Sequence, residues 1–357
     1  MQPRHLYLAL RAGDRFQVLR AAGIEALNEA ARGGPVGRRE RFFADIVERM
    51  ASKIDEPDAR MFNQGTRAIC SFFHGEWKAG GDGIDDAIER YGSAPAGWFS
   101  NARLFSIYGR VTRGRLADLR RHHTAFLAEA EERGDLYMSV NLRIGYCNGV
   151  WLFADDVDTA RRQVREAMAA WKEEGFSFQH YRALVAEANI ELYGGAGQVA
   201  HDIVARGWPQ LRRSLLLYSQ YVRADANALR ARCALASGRV AEATRFARKL
   251  DRERMPWTSM LASLVWSGVA RASGDREAEI RHLRAAALGA DSADMELHAA
   301  VARMRLAELL GAGEGEELEK RARAWMAEQG VVRPDRFAAL FAPLPPTTPL
   351  PSAREME

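Results

Sequence analysis

Three carboxylates fall within four residues at Asp155, Asp156 and Asp158, in the stretch WLFADDVDTARRQVREAMAAW. Carboxylates at this density hold Mg2+ or Ca2+ when further oxygen ligands converge, as in a loop of alternating acidic residues with a glycine and a distant Glu. DDVDTA has neither that glycine nor that spacing. The run GGDGID, Gly80 to Asp85, has the glycine content of a phosphate or calcium loop placed after a helix, but it lacks the Lys and Ser/Thr that reach phosphate and metal. His122 with His123, and the His201–Asp202 pair, are residue types of metal and acid–base sites. A metal-dependent HD hydrolase needs another upstream His and a downstream Asp beside the pair, and the pattern gives no reason for these to converge. The sequence holds no GxxxxGK(S/T), GxSxG, HExxH, or HRD with a following DFG. These residues predict a chain without a catalytic centre, metal or cofactor.

The elements that carry these residues read as helices. Apolar residues recur at intervals of three and four along most of the chain, and strand-type alternation is nearly absent. After the acidic cluster, Val157, Ala160, Val164, Ala167, Met168 and Trp171 share one stripe, while Arg161, Arg162, Arg165 and Glu166 face away. Asp155 or Asp156 then stands at the N-cap, and the spare carboxylates complement the positive helix end. Similar junctions recur roughly every 40 residues, a solenoid-like period, with turns at Gly75, Gly114, Asp155, Gly194, Gly238, Gly274 and Gly311. Glycine takes the left-handed conformation that closes a helix. At the third junction Asp155 stands in for it, because Asp also turns and caps.

The expected architecture is an all-α, tetratricopeptide-like helix-turn-helix repeat solenoid wound as a right-handed superhelix. Residues 1–34 are expected as N-terminal capping helices, 35–341 as an array of about seven units, and 342–357 as a Pro-rich flexible tail in which Pro346 and Pro349 make a minimal PxxP.

Composition narrows the partners. The chain has 357 residues and 47% hydrophobic content, ample for a continuous core. With 51 Lys and Arg against 47 Asp and Glu, the charge is near balance, so no nucleic-acid footprint is expected. Only five of the cations are Lys, a bias expected of a GC-rich, bacterial genome. Cys70, Cys147 and Cys233 stand far apart in apolar helical patterns, which fits reduced thiols and a cytoplasmic location. The N-terminus lacks the pattern of a secretion signal, and the most apolar helix, WTSMLASLVWSGVA, is too short to span a membrane.

Trp151, Trp171, Trp208, Trp257, Trp266, Tyr181, Tyr193 and Tyr218 recur at core spacing. One arrangement goes beyond packing. Arg103, Arg143 and Arg182 stand eleven or twelve residues before the turns of three consecutive units, and Asn227 takes the equivalent place in the next. Such a ladder would project one donor per repeat into the concave groove, where Asn141, Asn189 and Arg223 add others able to hold a carboxylate or an extended peptide. The competing expectation is an effector-binding regulator, with a small molecule among Tyr146, Trp151, Tyr181 and Tyr218 changing the curvature of the array.

The stretch NLRIGYCNGVWLFADDVDTARRQVREAMAAWKEEGFSFQHYRALVAEANIELYGG, followed by RRSLLLYSQYVRADANALRARCAL, resembles the C-terminal tetratricopeptide-like region of large bacterial serine/threonine protein kinases, in which a kinase domain precedes an ATPase module and a long helical array. The resemblance runs from about Leu8 to Leu310 and rests on RGDLY, AMAAW, FSFQHY and RRSLLL. It implies a noncatalytic signalling role, with the helices as a sensor or docking arm for a protein or peptide and for the kinase and ATPase domains. The sequence as given starts inside that array, and no kinase residue carries over to any position here.

Overall fold

The computed structural model describes the backbone of residues 2–91 and 96–346, and the side chains of residues 4–90 and 101–346. Pro349 of the PxxP and the rest of the tail from 347 lie outside the described residues. All regular elements among the described residues are helices. Two helices, α1 (Gln2–Ala12) and α2 (Arg15–Ala31), precede α3 (Arg38–Ala51). Hairpins follow: α4 (Pro57–Phe73) with α5 (Trp77–Tyr91), then α6 (Ala96–Arg113) with α7 (Leu116–Glu132). In the next unit the first helix is broken into α8 (Leu136–Arg143) and α9 (Gly149–Phe153), joined by a 3₁₀ turn at Gly145–Asn148, and the second is α10 (Val157–Ala170). The remaining pairs are α11 (Phe178–Tyr193) with α12 (Gly197–Arg213), α13 (Gln220–Ala236) with α14 (Val240–Arg252), α15 (Pro256–Ala272) with α16 (Arg276–Ser292), and α17 (Glu296–Leu310) with α18 (Glu314–Glu328). A short helix, α19 (Pro334–Phe341), ends the series. From α1 to α18 the units pack on their neighbours in sequence, the architecture of a tetratricopeptide-like solenoid.

The turn residues behave as their chemistry requires. Gly75, Gly114, Gly238, Gly274 and Gly311 have φ between +70° and +79°, and Asp155 takes φ +60° in the glycine's place. Asp156 is the N-cap of α10, its carboxylate accepting from the Thr159 amide at 3.0 Å. At the fourth junction the turn comes one residue later than expected: Gly194 keeps helical dihedrals and Gly195 has φ +78°. GGDGID is not a loop but part of α5. A Cβ on Gly80 would lie 2.9 Å from the Ala68 carbonyl oxygen, so the glycines there let α5 lie against α4 rather than cradle a ligand.

Inner and outer helices bury different fractions of their surface. On α14 one stripe, Ala243, Phe246, Ala247 and Leu250, faces the core and the rest faces water. Filling that stripe with Phe246 alone is worth about 1.5–3 kcal/mol. On α13 nearly every face is covered, and the buried set includes Asp225, Asn227 and Arg232. The covering comes from winding. The α6–α7 turn reaches the α16–α17 junction, where Arg113 pairs with Asp294 at 2.5 Å and Arg115 with Glu296 at 3.0 Å. Gly114 sits so close to Leu297 that a Cβ would lie 2.6 Å from the Leu297 nitrogen. The array therefore closes on itself around a central bore lined by its first helices.

Candidate functional site

The bore is irregular where α8 stops. Ile144 is extended, with φ −121° and ψ 170°, and Gly145 follows at φ +62°. The reason is the side chain of Arg182, which enters from α11: a Cβ on Gly145 would lie 2.1 Å from Arg182 Nε. Asn148 repairs part of the broken ladder, its amide donating to the carbonyls of Arg143 and Ala160, both at 3.0 Å. Arg182 is 1% exposed. Its guanidinium carbon lies 4.6 Å from the Tyr108 ring centroid and 5.8 Å from those of Tyr146 and Phe178, and Nη2 is 3.8 Å from Cys147 Sγ. Ring faces rather than an ion pair surround this cation.

Beside it lies a carboxylate held by phenols. Asp225 accepts from Tyr146 Oη at 2.6 Å and from Tyr181 Oη at 2.5 Å. Burial, and then the Asp225 charge, hold both phenols well above their ordinary pKa, so they remain donors. Arg232 donates Nη2 to Tyr146 Oη at 3.2 Å and Nη1 to the carbonyl of Leu340 at 2.9 Å. A cavity of about 90 Å³ adjoins this cluster, with Tyr146, Asn148, Asn189, Asp225, Arg232 and His298 as its polar wall. The His298 ring stands edge-on to Phe341 at 5.1 Å. Its pKa is pushed down to about 3, by burial first and by Arg232 second, so the imidazole is neutral.

The other wall of the cavity is α19. This helix, which falls within the stretch 35–341 expected to form the array, lies in the bore against α11 and α17. Pro334 starts it, where a missing N–H costs nothing. Phe337 is 1% exposed, 5.1 Å from the Phe153 ring and 5.6 Å from that of Tyr193. The last carbonyls of a helix lack intrahelical partners. Here Arg232 caps Leu340, and Arg305 Nε donates to the Ala342 carbonyl at 3.0 Å. At the other end the Val332 amide donates to the Phe153 carbonyl at 3.0 Å, and Asp155 pairs with Arg336 at 3.0 Å and Arg333 at 3.8 Å. Asp155 also accepts from Tyr193 Oη at 2.7 Å. The acidic cluster thus turns the chain and anchors α19. Asp156 caps a helix, and among the described residues no three His, Cys, Asp or Glu side chains gather as a metal site.

The anticipated ladder is not displayed as one exposed group per repeat. Arg103 pairs with Glu129 at 2.8 Å and covers the Phe126 ring; Arg143 donates to Gln163 at 2.8 Å and also reaches Ser139 and Glu131. Both turn to acids of α7, whereas Arg182 is sealed in its cage. Arg223 grips Glu253 with two bonds of 2.7 Å. Asn141 is buried and donates to the Tyr137 carbonyl at 2.8 Å; Asn227 is buried on α13. Of the set, Arg182 and Asn189 are at the central cluster. Of the four effector-contact candidates, Tyr146 and Tyr181 meet at Asp225. Trp151 lies against His123 at 5.2 Å, and Tyr218, expected in the core, is 54% exposed and stacks under Arg32. His123 is buried, bonded to the Leu142 carbonyl at 2.7 Å, and His201 bonds Glu242 at 3.0 Å.

Asp225, Arg232, Arg305, Phe337 and Phe341 were not picked out by sequence patterns. For Asp225 and Arg232 the signal is a charged residue among small apolar ones, in RADANALRARCALA; Phe337 and Phe341 carry none of that kind.

No family model matches the chain, and no curated protein sequence matches it. Among solved structures it is similar to the P58(IPK) TPR domain, with 12% sequence identity over 93% of this chain and 99% of that chain and a TM-score of 0.21. The repeat architecture rests on the hairpins themselves. No described helix is long and apolar enough to cross a membrane, and all three cysteines are free thiols.

Proposed function

We propose that the chain is a noncatalytic protein-interaction scaffold whose bore receives a short amphipathic helix, with α19 as its internal occupant. The observation that carries this reading is the pair of arginines on two inner helices, Arg232 and Arg305, donating to the carbonyls of Leu340 and Ala342 at the end of a helix whose Phe337 and Phe341 fill the bore. Main-chain carbonyls at a helix end are common to any helical ligand, and aromatic residues four apart select for one face. A partner helix carrying that spacing would compete with α19. Because Arg103, Arg143 and Arg223 already have carboxylate partners, recognition in this proposal moves to Arg232 and Arg305. The wider setting, a docking or sensing arm for a bacterial serine/threonine kinase or ATPase signalling protein, is supported by the resemblance of residues alone.

The experiment is a titration of a labelled peptide of residues 331–346 into the full chain and into its Phe337→Ala/Phe341→Ala variant. The wild-type bore is occupied, so peptide binding is weak; the variant releases its own α19 and binds the peptide at least ~10-fold more tightly, since occupancy by the internal segment reduces apparent affinity. A folded variant with no gain in binding refutes the proposal.

A further inference from the structure

The cavity between α19 and the bore has polar capacity that the protein leaves unused. Asn148 and Asn189 each hold a side-chain oxygen, and Trp77 and Trp257 each an indole N–H, with no hydrogen-bond partner. All four residues border the cavity and are more than nine-tenths buried. The orientation of Asn148 is set, because its amide nitrogen already serves two carbonyls and leaves the oxygen over. Buried polar atoms are nearly always paired with protein, water or ligand, so unpaired atoms gathered at one cavity mark a missing partner. Charge is uneven in the same place. Arg232 lines the cavity with a phenol and a main-chain carbonyl as its partners, Asp225 is taken up by Tyr146 and Tyr181, and Arg182 lies apart in its ring cage. Buried charge persists where it is paired.

We infer that this cavity is a binding site for a small organic carboxylate, with Arg232 as its counterion and the apolar wall of Leu261, Leu264 and Val265 against its alkyl end. Its volume of about 90 Å³ suits a small ligand. Waters would fit the same space but supply no negative charge. A short-chain acid and a small α-amino acid share the carboxylate; the amino acid adds an ammonium group that Asn148, Asn189 and Asp225 are placed to accept. Since Phe337, Leu340 and Phe341 form one wall, the ligand lies beneath α19.

The inference does not depend on peptide binding, and its test contains no peptide. Propionate, alanine and propionamide are titrated into the full chain at constant ionic strength, reading intrinsic tryptophan fluorescence, to which Trp77 and Trp257 at the cavity contribute, together with the melting temperature. Saturable binding of propionate, alanine or both, with propionamide at least ~10-fold weaker, is the expected result. Alanine binding tighter than propionate assigns the ammonium to the asparagine oxygens; equal binding assigns the carboxylate alone. Propionamide binding as well as propionate, or no saturable response to any of the three, overturns the proposal. Arg232→Gln is expected to lose carboxylate binding, and unchanged binding in that variant also overturns it. Should this variant fail to fold, the comparison of acid with amide on the wild-type chain still decides.

Discussion

The hairpin α15–α16 and the unit made of α8, α9 and α10 occupy similar places in the repeat, yet only one is regular. In α15 the inner helix runs unbroken from Pro256 to Ala272, with Trp257, Met260, Leu264 and Val265 buried, and its turn glycine, Gly274, has open space where a Cβ would be. In the other unit the inner helix stops at Arg143 because Arg182 from the next unit needs the room, and Gly145 lies directly against that guanidinium. Repeat units are held by nearest neighbours. A regular unit therefore serves the shape of the solenoid, and the interrupted one marks where a neighbour's side chain enters and the bore acquires charge.

The same methyl group placed at both glycines should affect the two units very differently. Gly145→Ala should destabilise the chain by at least about 3 kcal/mol, since a left-handed alanine costs about 1–2 kcal/mol and a caged guanidinium must also move. Gly274→Ala, with φ +73° and free space, should cost only about 1–2 kcal/mol. Urea denaturation of the two variants measures the difference. Equal losses would mean that Arg182 is not what breaks the helix.

Phe337→Ala comes next, removing a buried ring at a cost of about 3 kcal/mol. The loss should fall on the docking of α19 and leave α15–α16 as stable as before, which amide exchange resolves unit by unit.

Acid should act on the bore through His298. Its folded pKa of about 3 lies below the ordinary 6.5, so between those values the unfolded chain binds a proton that the folded chain does not. Stability then falls as pH drops from about 6.5 toward 3, with a slope of at most about 1.4 kcal/mol per pH unit, and is unaffected by this group above neutrality. Buried His123, also held below its ordinary pKa by burial, adds in the same direction. His298→Gln should reduce the slope of a pH series of melts; an unchanged slope would show that the imidazole is already charged in the folded bore.

The smallest effect is expected at Asp155→Asn, which keeps a residue suited to the turn and removes the charge facing Arg336 and Arg333. These pairs are partly exposed, so about 0.5–1 kcal/mol is at stake, and the difference from wild type should shrink in high salt.

Much of the fold was legible because each hairpin writes itself locally. A stripe such as Val157, Ala160 and Val164 and a turn residue such as Gly238 or Asp155 depend on near neighbours in sequence. Even the misplacement at Gly194 was one residue, since Gly195 is the same residue type. The bore was far less legible. Arg103, Arg143 and Arg182 are equivalent by position, but their surroundings are set by residues outside that pattern: Glu129 and Glu131 for the first two, Tyr108 and Gly145 for the third. Arg232 meets Leu340 across 108 positions, a contact that exists only once the superhelix has closed and α19 has turned inward. No periodicity in the chain records that closure.

If α19 occupies the bore as a separable guest, native-state amide exchange on the full chain will resolve its opening from that of the array. The amides of Phe337 to Phe341 are expected to be protected yet to open together at a free energy below that of α11, α13 and α17, with Phe337→Ala lowering only the former. Exchange of α19 solely through global unfolding, in step with those three helices, would contradict this and make α19 a fixed part of the core.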